Sequence, residues 1–218
     1  MNSIKRLVWV LGLCTLWSVT LQAQQPITTR ELQSWQLLGS GSSAAFQEAI
    51  YLKESDTSKG VMLLSPGNFP SSYLMRFEMV PLTSSTVMIA VLNASDAKGS
   101  ALSIPSGYDG SMGIWTSAIT SYFVAFRNAP HASTPFITKQ PGVKTVKAEQ
   151  YDDMLAGKRY QVELGVKGNL VWLKVDGKKL VEFQDPNPLP AGRMAFRLRG
   201  LPGLPAACLI YNVSLQTL

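Results

Sequence analysis

From residue 159 onward, apolar and polar side chains alternate with period two. Tyr160, Val162, Leu164 and Val166 fall on one side of an extended backbone and Gln161, Glu163 and Gly165 on the other, as in a strand with one face against a core. Gly168-Asn169 and Asp176-Gly177 tolerate positive φ, so they predict tight turns flanking strands over 170–175 and 178–183. A proline-rich link over 185–192 leads to Met194, Phe196 and Leu198, which alternate with Ala195, Arg197 and Arg199, and a last strand is expected over 208–215. Upstream, residues 73–80 alternate in the same way, while 86–92 is a continuous apolar run, short enough for a strand buried on both faces. Shorter strands are expected at 35–38, 46–52 and 61–64, and the one helical candidate, 149–156, is too short to dominate the fold.

The pattern is all-β and continues across every proline-rich stretch, without a linker or an internal repeat. It predicts a two-sheet antiparallel sandwich of about a dozen strands, folded as a single domain over residues 24–218.

Residues 1–23 have another character. Lys5 and Arg6 precede an apolar run over 7–16, and Leu21-Gln22-Ala23 then supplies a cleavage site, the three parts of a secretory signal peptide. The expectation is export to the periplasm or beyond. The apolar run falls short of the roughly 20 residues that span a bilayer, so no membrane insertion is expected after cleavage. Losing Cys14 leaves Cys208 alone, so stability must come from the core and not from disulfides. Cys208, set in Ala206-Ala207-Cys208-Leu209-Ile210, reads as an inert buried thiol. The net charge of +6 falls to +4 without Lys5 and Arg6, and the remaining basic residues are scattered, which argues against a nucleic-acid partner. Neither a G-x-S-x-G elbow nor a phosphate loop occurs.

The order Gly157-Lys-Arg-Tyr160, the strand and Asp176-Gly177 turn, and Pro188-Leu-Pro-Ala-Gly-Arg-Met-Ala-Phe-Arg197 resembles the closing strands of concanavalin A-like lectin/glucanase jelly rolls. More narrowly, Tyr122-Phe-Val-Ala-Phe-Arg-Asn-Ala-Pro-His131, followed by Pro135-Phe-Ile137 and Gln140-Pro-Gly142, resembles the bacterial family of unknown function DUF1961. The related 3-keto-disaccharide hydrolase group, DUF1080, shares the closing strands. These resemblances imply a bacterial polysaccharide-utilisation context, with an oligosaccharide or polysaccharide as partner.

Sugar sites on jelly-roll faces place aromatic rings under pyranose faces and polar side chains at hydroxyls. The stretch 115–135 holds that inventory together with the chain's one histidine. Trp115, Tyr122 and Asn128, with Arg76, are the candidate substrate-binding residues, and His131, Arg127 and Glu78 the candidate catalytic ones. An imidazole near neutral pH can act as acid or base, and a guanidinium can hold a uronate carboxylate through two hydrogen bonds. Strand parity puts Tyr122 and Asn128 on one face and Arg127 on the other unless a bulge re-aims the strand's end. Paired carboxylates at glycosidase spacing are not seen: the E-x-D-x-x-E run of sandwich glucanases is missing, and Asp152-Asp153 diverge if extended. A hydrolase or uronate lyase is therefore one reading and a non-catalytic carbohydrate-binding or accessory domain the alternative. One histidine with one cysteine cannot make a zinc site, so no cofactor is expected, although Asp96, Asp109, Asp152 and Asp153 keep a structural calcium open.

Overall fold

Fifteen strands and two short helices occur among the described residues of the computed structural model, which are 24–96, 101–129, 134–142, 144–148 and 154–218. The leader 1–23, His131, Asp152, Asp153 and most of the segment 149–156 lie outside them. In chain order, β1 (Gln25–Pro26) and helix α1 (Thr29–Gln33) precede β2 (Gln36–Gly39), β3 (Gly41–Phe46), β4 (Ala49–Glu54), β5 (Val61–Phe69), β6 (Tyr73–Pro81) and β7 (Val87–Asp96). Helix α2 (Gly113–Ser117) then leads to β8 (Ile119–Asn128), β9 (Phe136–Gln140) and β10 (Lys144–Lys147). The chain closes with β11 (Tyr160–Lys167), β12 (Leu170–Val175), β13 (Lys178–Gln184), β14 (Gly192–Arg199) and β15 (Ala207–Thr217).

Two antiparallel sheets result. The first runs β13-β12-β11-β6-β15-β4-β3, with β1 also paired to β15, and the second runs β10-β9-β8-β7-β14-β5-β2. The alternating residues of the sequence now have a destination. Val162, Leu164 and Val166 meet Met88, Ala90, Leu92, Tyr122, Val124, Phe126, Met194 and Phe196 in one core between the sheets. Phe196 is stacked on Trp35 at 6.0 Å and edge-on to Phe77 at 5.0 Å, geometries that aromatic quadrupoles favour. Cys208 is in the same core, and burial pushes its thiol pKa up, away from the reactive thiolate.

Some expected elements are redrawn. The strand expected over 46–52 is broken by a turn at Gln47-Glu48, where Gln47 sits at φ 53°, and it becomes β3 and β4. Trp35 belongs to the end of the α1 turn, with the strand starting at Gln36. Helix α1 follows from a capping box: the Thr28 hydroxyl accepts from the Glu31 N–H at 3.2 Å while the Glu31 carboxylate accepts from the Thr28 N–H at 2.7 Å.

A second apolar cluster is drawn from the second sheet and α2 alone. Leu38, Met62, Leu64, Val87, Ile89, Val91, Trp115, Phe123, Ala125 and Ala195 pack on that sheet's outer face. Leu102, Ile104, Tyr108, Met112 and Ile114, from the connection between β7 and β8, cover them. This roof explains why β7 is buried on both faces although it belongs to an antiparallel sheet.

Candidate functional site

The site is built where that roof stops. Residues 101–118 pack on the second sheet's outer face and, beside α2, leave a cavity of about 510 Å³ over β8, β9 and β10. Its floor is Phe123 of β8, Phe136 of β9 and Ile89 of β7. Met112 and Thr116 of the α2 region form one wall, and Thr145 of β10 lies at the other side. The remaining polar lining comes from Asn128, Thr134, Thr138 and Gln140. Gln140 stands opposite Ser121, and Asn128 lies seven residues further along β8, so the trough is roughly 20 Å long at about 3.3 Å per residue. No carboxylate and no basic side chain is among these lining residues.

Asn128 reaches the trough because β8 is bulged. Val87 pairs with Asn128 and Met88 with Arg127, but Ile89 pairs with Ala125, which leaves Phe126 as the extra residue. Past the bulge, Asn128 faces outward with Val87 and Ile89, and Arg127 turns inward with Met88. The strand's parity is thereby reversed at its end: Asn128 shares a face with Phe123, not with Tyr122.

The other candidate residues go elsewhere. Tyr122 is buried between the sheets, where its hydroxyl donates to Asp185 Oδ2 at 2.7 Å and accepts from the Leu189 N–H at 3.0 Å. Arg127 is 4% exposed, and its guanidinium donates to the carbonyls of Met154 (2.7 Å), Ser84 (2.8 Å) and Thr86. Trp115 is fully buried under the roof, with its indole N–H donating to the Tyr108 hydroxyl at 2.9 Å. Arg76 and Glu78 lie on the outer face of the first sheet, beside a separate cavity of about 270 Å³. There Arg76 and Lys174 both pair with Glu163, at 2.9 and 2.8 Å, and Arg159 pairs with Glu78 at 3.1 Å. Burial pushes the Glu163 carboxyl up, but the donors Lys174, Trp172 and Arg76 outweigh it and hold its pKa below the ordinary value. Packed sheets stand about 10 Å apart, so this charged face and the trough lie on opposite sides of the sandwich. Of the sequence candidates, Asn128 alone lines the trough, and His131 is outside the described residues.

Phe123, Phe136, Thr138 and Gln140 are not among the candidate site residues read from the sequence. Their signal is the alternation of Phe136, Thr138 and Gln140 against Ile137 and Lys139, which is short and begins right after Pro135. Of the loop aspartates, Asp109 is engaged by Lys59 at 2.9 Å and by the Ser111 N–H at 2.9 Å, and these hydrogen bonds hold its carboxyl well below the usual range. Among the described residues no three of His, Cys, Asp and Glu converge.

The roof is anchored where Gly110 meets Gly60. A Cβ on Gly110 would stand 1.9 Å from the Gly60 carbonyl oxygen, and its φ of +87° is one that side chains avoid. Beside this contact Arg197 donates to the carbonyls of Gly110 (3.1 Å) and Lys59 (3.0 Å). Gly110→Ala is therefore expected to cost about 2 kcal/mol in a thermal or urea melt, the scale of an overpacked contact. It should also speed amide hydrogen exchange across residues 108–118 while β11 to β13 keep their protection. Unchanged exchange in that segment would show that the anchor does not hold the roof.

The sequence matches no protein-family model and none of the curated proteins. Among solved structures, it is similar to a protein of unknown function with a galectin-like fold from Bacillus subtilis, with a TM-score of 0.74 and 16% identity over 89% of this chain and 94% of that one. It is also similar to Bacillus licheniformis β-glucanase, with a TM-score of 0.60 and 13% identity over 90% of this chain and 98% of the other. A third likeness is to the carbohydrate-binding module CBM66 from Bacillus subtilis, with a TM-score of 0.58 and 10% identity over 85% and 97%. Likeness at these identities concerns architecture, and it agrees with the strand order traced above: the chain is a concanavalin A-like jelly-roll sandwich.

Proposed function

We propose that this protein is an exported saccharide-binding protein that seats an uncharged oligosaccharide in the trough over β8, β9 and β10 and does not cleave it. The observation that carries the reading is the composition of the trough. Two phenylalanines supply apolar surface for sugar ring faces, and amides and hydroxyls supply orienting hydrogen bonds. The shape suits a chain of several sugars better than a single one. Glycoside hydrolysis asks for two carboxylates flanking the scissile bond, and none is among the described residues that line this cavity. Support for the ligand class comes from the likeness to a carbohydrate-binding module and a β-glucanase, and from the DUF1961 and DUF1080 resemblances of the sequence. Export rests on Lys5, Arg6 and the apolar run after them.

The test presents residues 24–218 to plant and host glycans on an array and follows the hits by calorimetry, scoring new reducing ends and unsaturated uronates in parallel. Binding without new ends is expected. Phe136→Ala and Asn128→Ala should each weaken it by about tenfold, the scale of one lost stacking or hydrogen-bonding contact. Arg76→Ala and Glu78→Ala, on the opposite face, should leave it unchanged. New reducing ends or unsaturated products would replace this reading by a hydrolase or lyase and return His131 to the first place among catalytic candidates.

A further inference from the structure

The polar points of the trough are not equivalent. The Thr138 and Thr145 hydroxyls already bond each other at 2.8 Å. Gln140 is 6% exposed, yet its Oε1 has no hydrogen-bond partner among the described residues. Directly across the ladder, Ser121 Oγ is buried in the same condition. Buried acceptors are ordinarily satisfied, so one that lines a cavity calls for a donor brought by whatever fills it.

The surroundings restrict that donor. Phe123, which pairs with Thr138 and so lies two residues along the ladder from the Ser121–Gln140 pair, and Met112 of the wall make the lining apolar, and none of the described lining side chains carries a charge. The group that completes this end must offer an N–H or O–H together with alkyl surface on the same small unit. A sugar hydroxyl brings the donor without the alkyl group, and a deoxy carbon brings the reverse. A secondary acetamido group brings both. In its planar trans form the N–H and the acyl methyl project to the same side, with the carbonyl opposite, so one orientation gives Gln140 Oε1 its donor and the aromatic lining a methyl group.

On the saccharide-binding reading above, we infer that the Gln140 end of the trough is a subsite for an acetamido sugar, a 2-acetamido-2-deoxyhexose unit of a neutral glycan. Gln140 is the specificity-determining residue. Its amide oxygen accepts the acetamido N–H, and the methyl group packs into the Phe123 and Met112 corner.

The experiment compares glycans that differ only in this group: triacetylchitotriose against cellotriose by calorimetry, and matched acetamido and hydroxyl pairs of other linkages on an array. The acetamido member of a pair is expected to bind at least about tenfold tighter, the worth of one good hydrogen bond. Gln140→Leu, similar in size but without an acceptor, should erase that preference. Its Tm should hold or rise, because the change removes an unsatisfied buried oxygen, whereas a purely structural role for Gln140 would lower Tm. Equal or better binding of the hydroxyl members overturns the subsite and leaves the saccharide-binding reading intact. A preference that persists in Gln140→Leu overturns the role of Gln140. Failure to bind any glycan overturns the saccharide-binding reading and the subsite with it. The wild-type pair comparison carries the test without relying on the folding of Gln140→Leu.

Discussion

Arg127→Met is expected to lower the unfolding free energy by about 3 kcal/mol and to leave glycan affinity of the folded protein unchanged. The guanidinium sits inside the end of the sandwich and donates to the carbonyls of Ser84, Thr86 and Met154, which tie the turn before β7 and the approach to β11 onto β8. A methionine fills the volume but donates nothing. Buried carbonyls left without partners each cost on the order of 1–3 kcal/mol, partly relieved by relaxation and by water at the sandwich end. In urea, with an m-value of about 2 kcal/mol/M, the midpoint should fall by more than 1 M at unchanged slope. Arg127→Lys should recover a minor part, because an ammonium cannot reach all three carbonyls from one planar fork. Asn128→Ala is the contrasting variant: next in sequence but on the other face, it should change affinity with little effect on stability. A stable Arg127→Met protein that no longer binds glycan would reverse this assignment and make Arg127 part of the site.

That contrast shows where reading the sequence succeeds and where it stops. The closing strands are legible because their information is local: alternation fixes the buried face, and the Gly168-Asn169 and Asp176-Gly177 pairs fix the turns, so β11 to β15 fall within a few residues of expectation. The fold resemblance rests on the same segment. Helix α1 is not legible in the sequence although Thr28 and Glu31 spell a capping box, because a five-residue helix has no hydrophobic period to read. Most of β3 is not legible as a strand, since an exposed edge strand needs little apolar surface. The site suffers most. A bulge at Phe126 depends on the register of β7 against β8, which no single strand encodes, and it exchanges the faces of Arg127 and Asn128. Trp115 carries the residue type of a sugar platform, but the roof that buries it is set by the Gly60–Gly110 contact far away in sequence. The trough itself draws on β7, β8, β9, β10 and α2, so its membership is a property of sheet order.

Asp185→Asn should destabilise the protein by about 2–3 kcal/mol at neutral pH, and by progressively less as the solution is acidified. Asp185 is 2% exposed and opens the proline-rich link that leads into β14, against the inner face of the second sheet. Its carboxylate accepts from the Tyr122 hydroxyl at 2.7 Å and the Asn187 N–H at 3.1 Å, and pairs with Lys139 at 2.7 Å. Burial by itself would raise its pKa, but the hydrogen bonds from Lys139, Tyr122 and Asn187 outweigh burial and hold the carboxyl below its ordinary value. A carboxyl whose pKa is depressed on folding stabilises the native state above its unfolded pKa, near 3.9, and that contribution disappears as pH falls through the folded pKa. The asparagine variant carries no such charge, so the gap between its stability and that of the wild type is full at pH 7 and closes toward the acid side of about pH 4. Referring the wild type to this variant removes the parallel contributions of Glu163 and Asp109, whose pKa values are also depressed. Tyr122→Phe tests the same network from its other end. It strands the Leu189 N–H and takes one donor from Asp185, so it should cost about 1–2 kcal/mol, and its effect should be non-additive with Asp185→Asn by about 0.5 kcal/mol or more. Strict additivity together with a pH-independent gap would mean that Lys139 and Tyr122 merely neighbour the carboxylate. A gap that closes on acidification would identify the pair as the lock between the inner face of β8 and the link into β14, the two elements between which β7, and with it the floor of the trough, is held.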